Sequence, residues 1–187
     1  FSGSGEDEDG TIVAYLWTSS IDGTLSSSAN FTINDLPFGN HTITFMVKDS
    51  EGDWSDEVTS WVDVRKMPEW SYTTGGYVGL VAISADGEYI AVGSADNKVY
   101  LFDKDSGTPL WSYTAGDFVR SVAISADGEY IAAGSDDDKV YLFDKDSNTP
   151  LWSYTADSDV VSVSISADGE YIAAGDYHGD KVYLFDK

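Results

Sequence analysis

The sequence predicts an all-β protein of two modules, an N-terminal β-sandwich over residues 1–66 and repeated four-stranded sheets over residues 67–187. Two observations predict the repeated sheets: the segment WSYT recurs at a fixed spacing, and every period holds short hydrophobic segments separated by turn residues. A third predicts the sandwich, because hydrophobic and polar residues before the repeats alternate with the period of two of a half-buried strand.

The WSYT repeat has a period of 41 residues, which divides the second module into copies 70–110, 111–151 and 152–187, the last incomplete. Four antiparallel strands of about 6 residues in a period of about 40 are typical of β-propeller blades, so about three blades are predicted. In the middle copy the predicted strands are VRSVAIS from Val119, EYIAAGS from Glu129, KVYLFD from Lys139 and TPLWSYT from Thr149.

The predicted strands are separated by turns with a fixed chemistry. Glycine takes the positive φ of a tight hairpin without steric cost, and aspartate commonly precedes it there. Each copy has such a pair after the first strand, at Asp86-Gly87, Asp127-Gly128 and Asp168-Gly169.

Two runs in the repeats resemble known propeller families. The segment 121–144 resembles a WD repeat in which the terminal Trp-Asp is Phe-Asp, and the segment 142–155 is similar to the repeats of pyrroloquinoline-quinone-type propellers. The Gly-His pair typical of WD repeats is absent. The resemblance implies blade architecture, and it implies no quinone site, because the quinone ligands of that family lie outside the repeated motif.

The first module resembles a PKD domain, a seven-stranded immunoglobulin-like sandwich. An Asp-rich Gly turn leads into a strand that ends in Tyr-x-Trp, here Tyr15 and Trp17. Ile43, Phe45 and Val47 are predicted to lie on one face of a strand and Thr42, Thr44 and Met46 on the other, as in a half-buried strand. The first strand of the family has no match after Phe1, so the sandwich is predicted to be N-terminally incomplete.

Composition narrows the functional classes. The chain has 33 Asp and Glu against 10 Lys and Arg, for a formal net charge of -23, which repels phosphate backbones and excludes nucleic acid as the expected partner. No run of about 18 apolar residues is present, so no membrane span is predicted. Without cysteine, a disulfide or zinc-thiolate site is ruled out.

The first two copies differ at 9 of 41 positions, and seven of these lie in two connections that a blade places on one face. This variable face comprises residues 74–80 and 95–97, their equivalents 115–121 and 136–138, and the insertion 176–180. Drift in solvated loops is one explanation. A ligand-binding face is the other, because aromatic rings beside carboxylates suit sugars, cations or proteins. Its candidate residues are Tyr77, Phe118, Arg120, Asp137, Tyr177 and His178.

Two acidic loops of the sandwich are candidates for a calcium site. Asp7 and Asp9 lie in one loop and Asp49 and Asp53 in another, and PKD-type folds bring two such loops to the same end. Calcium takes about 6–8 oxygen ligands, so these loops could supply a site. Plain solvated acidic loops are the alternative, and no other cofactor is predicted.

Asn30 and Asn40 begin Asn-x-Thr sequons, which are either glycosylation sites or chance matches. Glycosylation at either position would indicate an extracellular protein.

A PKD-like module followed by a propeller resembles archaeal surface-layer and related secreted proteins. That resemblance implies a non-catalytic, extracellular structural or adhesion protein of a surface layer, sheath or filament. It would contact other protein chains or surface glycans, and the open flanks of its blades would allow a homo-oligomer or polymer. The alternative is an accessory region of a larger secreted hydrolase or quinoprotein. No activity is expected, since neither of the two histidines accompanies a nucleophile elbow or a His-x-x-x-His pair.

Overall fold

The computed structural model describes residues 1–6 and 10–187. The described residues form two compact units, Phe1–Pro68 and Glu69–Lys187. Their regular elements are all β-strands, which confirms the predicted all-β class. Within the same residues, no helix has the length and apolar character needed to cross a membrane.

The N-terminal unit has a four-stranded antiparallel sheet. Its strands are β1 (Ile12–Ser19), β2 (Gly23–Ser26), β3 (Gly39–Asp49) and β4 (Val58–Val64). They are arranged in the order β2-β1-β3-β4, with Trp17 opposite Phe45 in the central pair. A separate bridge joins Ser2 to Asn30. The sheet therefore places the two longest strands at its centre.

Trp17 is the centre of the core of this unit. Its ring lies 4.3 Å from that of Phe45 and 5.6 Å from that of Phe31, and its indole N–H donates to the carbonyl of Ser28 at 3.0 Å. Ile43 and Val47 are buried on β3, and Phe45 between them is half-buried. The alternation predicted for this strand is confirmed.

The C-terminal unit has three antiparallel sheets, each arranged in chain order. Each sheet is therefore a meander, and the strands of the second sheet coincide with those predicted for the middle copy. The predicted four-stranded blade is confirmed. The first blade contains β5 (Val78–Ile83), β6 (Tyr89–Ser94), β7 (Lys98–Asp103) and β8 (Trp111–Thr114); the second contains β9 (Val119–Ile124), β10 (Tyr130–Ser135), β11 (Lys139–Asp144) and β12 (Trp152–Thr155); the third contains β13 (Val160–Ile165), β14 (Tyr171–Asp176) and β15 (Val182–Asp186).

The hairpin turns have the backbone geometry that their sequences predict. The glycines of the Asp-Gly pairs have positive φ, for example 77° at Gly87. On the opposite side of each blade the left-handed position is held by a non-glycine residue, with φ of 68° at Asn97 and 65° at Asp138. Asparagine and aspartate are the side chains that tolerate this region best, so both copies close the same turn.

Consecutive blades are in contact through a valine of the following blade that packs against a glycine of the preceding blade. We call this contact the joint. A Cβ added at Gly93 would lie 2.9 Å from Cγ1 of Val119, and one added at Gly134 would lie 2.7 Å from Cγ1 of Val160. Each valine is the first residue of an inner strand, and each glycine lies in the second strand of the preceding blade. The missing side chain therefore lets two sheets approach closely.

Hydrogen bonds reinforce this joint. The amide of Ala85 donates to the carbonyl of Ala126 at 2.9 Å, and the amide of Ala126 donates to that of Ala167 at 3.0 Å. These alanines belong to the Ser-Ala-Asp-Gly-Glu-Tyr segment that is unchanged in all three copies. In the interior, the hydroxyl of Ser121 accepts the amide of Val163 at 3.0 Å.

The WSYT segments pack their aromatic rings on the following blade. Trp111 lies 5.4 Å from Phe143, and Trp152 lies 5.2 Å from Phe185. The first segment, residues 70–73, places Trp70 5.3 Å from Phe102 in the same way, but it forms no strand. The repeated tryptophans are therefore packing residues between blades.

The packing of valine on glycine between blades predicts unequal effects at two equivalent glycines. Gly134→Ala should lower the free energy of unfolding by about 1–3 kcal/mol, because the new Cβ overlaps Val160. Gly175→Ala is the matched control, since its nearest atom would be the carbonyl oxygen of Lys181 at 4.0 Å. We expect a change within about 0.5 kcal/mol there in urea denaturation. Equal losses at both positions would contradict the joint.

Candidate functional site

The variable face is shaped by a β-bulge at the start of each inner strand. The ladder between β9 and β10 shifts register between Ser121 and Val119, which leaves Arg120 as the extra residue. The same shift occurs at Gly79 in the first blade and at Val161 in the third. Bulges re-aim the side chain of the extra residue, and this one places a different residue at the same position of every blade.

Arg120 connects the first two blades on this face. Its Nε donates to both carboxylate oxygens of Asp136, at 2.9 and 2.8 Å, and its Nη1 donates to the hydroxyl of Tyr77 at 3.4 Å. Its guanidinium carbon lies 5.8 Å from the centre of the Phe118 ring. The hydrogen bonds and charge of Asp136 raise the pKa of Arg120 further above its ordinary value. Arg120 is therefore cationic and held in place.

Two cavities adjoin this arginine. One of 220 Å³ is lined by Tyr77, Gly79, Ala95, Phe118, Val119 and Arg120. The other, of 460 Å³, is lined by Arg120, Asp136, Asp159, Val161 and Tyr177. The structure therefore brings together Tyr77, Phe118 and Arg120 around one cavity, with Tyr177 across the second.

The insertion of the third copy carries the remaining aromatic candidates. Its backbone amides are hydrogen-bonded, since that of Tyr177 donates to the carbonyl of Asp159 at 2.9 Å and that of His178 donates to the hydroxyl of Ser158 at 3.1 Å. The Tyr177 and His178 rings lie 4.4 Å apart, and both residues are exposed. Tyr177 lines the larger cavity, whereas His178 does not.

Asp137 lies apart from this cluster in a hydrogen-bond network of its own blade. Its Oδ2 accepts the hydroxyl of Tyr141 at 2.5 Å and the amide of Gly116 at 2.7 Å, and its Oδ1 accepts the amide of Lys139 at 3.1 Å. Burial, and then the bond to Asp137, raises the pKa of Tyr141. The carboxylate stabilises the turn, and because it already accepts three hydrogen bonds it has little capacity left to accept one from a ligand.

The first blade repeats this network at Asp96, whose Oδ2 accepts the hydroxyl of Tyr100 at 2.6 Å and the amide of Gly75 at 2.7 Å. Burial acts to raise the pKa of Asp96, but the hydrogen bonds from Tyr100 and nearby amides outweigh it and lower that pKa. In the third blade Asp176 accepts the hydroxyl of Tyr183 at 3.0 Å. The recurrence indicates a structural role.

The acidic loop of the N-terminal unit is held by its first aspartate. Oδ1 of Asp49 accepts the amides of Glu51, Gly52 and Asp53 at 2.9, 2.7 and 2.9 Å. The bond from the Asp53 amide lowers the pKa of Asp49 the most. The other two calcium candidates, Asp7 and Asp9, lie outside the described residues. In residues 1–6 and 10–187, no three His, Asp or Glu side chains are grouped to hold a metal ion.

The two sequon asparagines, Asn30 and Asn40, are both exposed. The fold also brings together a Ser-His pair that sequence reasoning missed. Nδ1 of His41 lies 2.6 Å from the hydroxyl of Ser19, and its Nε2 lies 2.7 Å from the carbonyl of Pro37. His41 is 1% exposed, so this pair is part of the core. Nothing in the sequence spacing places these two residues together.

Comparisons with known proteins agree with the blade architecture. The profile of the PQQ_2 family, outer membrane protein assembly factor BamB, matches residues 16–187, starting within β1. The β-propeller domain of Myceliophteria thermophila Cps50 (Swd1) superposes with a TM-score of 0.55 at 19% identity, which shows a shared fold. The match covers 61% of this chain and 37% of that one. No curated protein matches the chain.

The structural role of Asp137 can be tested through its hydroxyl partner. Tyr141→Phe removes the donor and leaves the carboxylate less satisfied, so the free energy of unfolding should fall by about 1–3 kcal/mol. Tyr154→Phe, at a tyrosine that is 42% exposed in β12, is the control and should change it by less than about 0.5 kcal/mol. Urea denaturation of both variants measures the difference. Equal free energies of unfolding for the two variants would show that the network does not contribute to stability.

Proposed function

Since the chain belongs to the PQQ_2 family, described as outer membrane protein assembly factor BamB, we propose that it is a non-catalytic binding protein whose variable face holds a partner. Propellers commonly serve protein contacts and accessory roles, and the family description names an assembly factor. The fold alone does not assign a ligand, whereas the residues of this face define which ligands it can hold.

The observation that carries the proposal is the aromatic cluster around Arg120. Tyr77 is 62% exposed and Phe118 37% exposed, and their rings lie 6.4 Å apart in an edge-to-face arrangement. Tyr177, 62% exposed, faces the second cavity beside Arg120. Aromatic and arginine side chains in neighbouring concavities are the residues that dominate binding energy at protein interfaces. Tyrosine and phenylalanine faces also stack on sugar rings.

The charges of this face select the partner chemistry. Arg120 is neutralised by Asp136, and Asp159 adds a second carboxylate to the lining of the same cavity. Together with a net charge of -23, this disfavours anionic ligands. The face suits a neutral glycan, or a peptide segment with aromatic or basic side chains.

The setting we propose is the cell surface. The resemblance of the N-terminal sequence to a PKD domain, the exposed sequons at Asn30 and Asn40, and the acidic composition support an extracellular structural or adhesion protein, as in archaeal surface layers. The same binding role would serve an accessory region of a larger secreted enzyme. In both settings the role that we propose is binding rather than catalysis, and the Ser19–His41 pair is enclosed, with exposures of 5% and 1%.

The proposed binding face is tested by removing its central ring. The purified chain is titrated with a panel of neutral oligosaccharides and with peptides selected on it from a random displayed library. Phe118→Ala should weaken the best binders about tenfold or more, because an interface anchor contributes over 1 kcal/mol. Isothermal titration calorimetry measures the affinities.

Tyr171→Ala is the matched control. Tyr171 is 52% exposed, but it belongs to the unchanged Ser-Ala-Asp-Gly-Glu-Tyr segment on the opposite side of the blades. Binders that lose affinity with Tyr171→Ala and keep it with Phe118→Ala would contradict the proposal, and so would a panel without any binder.

A further inference from the structure

The sequon Asn40-His41-Thr42 lies at the start of β3, the longest strand of the N-terminal unit. Side chains alternate between the two faces of a strand, and the exposures follow that rule. His41 and Ile43 are 1% and 2% exposed, whereas Asn40 and Thr42 are both exposed. The amide and the hydroxyl of the sequon therefore lie on the outer face of the sheet, away from its core.

The neighbouring strand β4 brings an indole to the same face. The two strands pair in continuous register, with Asn40 opposite Asp63 and Thr42 opposite Trp61. Residues that lie opposite each other in an antiparallel pair share a face, so Trp61 projects on the side of the sequon. It is the diagonal neighbour of Asn40, at a Cα separation of about 7–8 Å.

Two exposed aromatic side chains accompany this sequon. Trp61 is 77% exposed, and Phe38, two residues before Asn40, is 66% exposed. Both are more exposed than the rings of the variable face. Because an aromatic side chain gains free energy when its apolar surface leaves water, both rings are stabilised by a group that covers them.

The aromatic ring beside the other sequon faces the core instead. Phe31, the residue after Asn30, has its ring 5.6 Å from that of Trp17. Trp17 belongs to the buried face of the sheet, whereas Trp61 belongs to the outer face. The two sequons therefore differ in the surface that an attached sugar would meet.

We propose that Asn40 is an N-glycosylation site and that the first sugar of its glycan packs on the indole of Trp61. A sugar bonded to Nδ2 extends outward from the sheet, and its C–H face is apolar enough to stack on an aromatic ring. The diagonal separation is within the reach of an asparagine side chain and one sugar ring. Phe38 supplies a second apolar surface next to the same asparagine.

The modification needs a donor, which is an oligosaccharide linked to a polyprenyl diphosphate. Nδ2 of Asn40 forms a bond to C1 of the first N-acetylglucosamine. The bond between C1 and the diphosphate oxygen breaks, and the lipid diphosphate leaves with the electron pair. One proton of the amide passes to a base of the transferase. The hydroxyl of Thr42 completes the Asn-x-Thr pattern that the transferase recognises.

This inference rests on the extracellular setting proposed above, and it does not depend on the variable face. Phe118→Ala, which tests the binding face, should leave the glycan at Asn40 unchanged. Loss of partner binding with an intact glycan, or the reverse, therefore shows which of the two proposals has failed.

Secretion of the full chain from a eukaryotic cell line that makes only high-mannose glycans tests the modification, because the host supplies the donor and the transferase. Mass spectrometry of the proteolytic peptides measures the occupancy of each sequon. We expect a glycan on Asn40 in most secreted molecules and none at this position in Asn40→Gln. A secreted chain that is unmodified at Asn40 would overturn the proposal.

The packing on Trp61 is tested after endoglycosidase H has trimmed the glycan to a single N-acetylglucosamine. Hydroxyl-radical footprinting then measures how accessible each indole is. Trp61 should be oxidised about twofold more slowly in the trimmed wild-type chain than in Asn40→Gln, because a stacked sugar covers one of the two faces of the indole. Equal rates of Trp61 oxidation in the two chains would contradict the packing and with it the proposal.

Two controls separate this contact from a general effect of the sugar. Trp54 is 45% exposed and bridges to Lys48 near the opposite end of β3, so it should be oxidised at the same rate in both chains. Asn30→Gln removes the other sequon and should keep the slow oxidation of Trp61. Circular dichroism of each variant checks that the sheet remains folded.

Discussion

The contact between a valine and the glycine of the preceding blade is the constraint on which the C-terminal unit depends. Val119 and Val160 are almost fully buried because Gly93 and Gly134 leave room for them. Since a blade is only a small sheet with two apolar sides, it gains its core from its neighbours.

This constraint acts unequally on the two faces of the blades. The Ser-Ala-Asp-Gly-Glu-Tyr face links blades through Ala85, Ala126 and Ala167, and the ring of Tyr89 covers Gly128, where a Cβ would lie 2.5 Å from it. A change there would disturb two blades together. The turns at Asn97 and Asp138 need only a residue that tolerates positive φ. Substitutions can therefore accumulate on that face without disturbing the contact between blades.

Sequence reasoning recovered the elements whose signals are local. The period of 41 residues and the Asp-Gly turns predict the strands of the middle copy, and the alternation around Phe45 predicts the buried face of β3. It did not recover contacts that depend on register between strands. Nothing local shows that Arg120 is a bulge residue or that Asp137 is bonded to Tyr141. The burial of His41 against Ser19 likewise depends on strands 22 residues apart.

Register also shows that two of the differences between the copies are coupled. Gly79 and Ala95 of the first copy are replaced by Arg120 and Asp136 in the second, and these two replacements form one ion pair. Independent drift has no reason to introduce opposite charges together at positions 16 residues apart. Because Asp136 and Asp137 are both engaged within the blade, the carboxylates mainly organise this face. The exposed rings of Tyr77, Phe118 and Tyr177 remain, and these are the groups that a partner would contact.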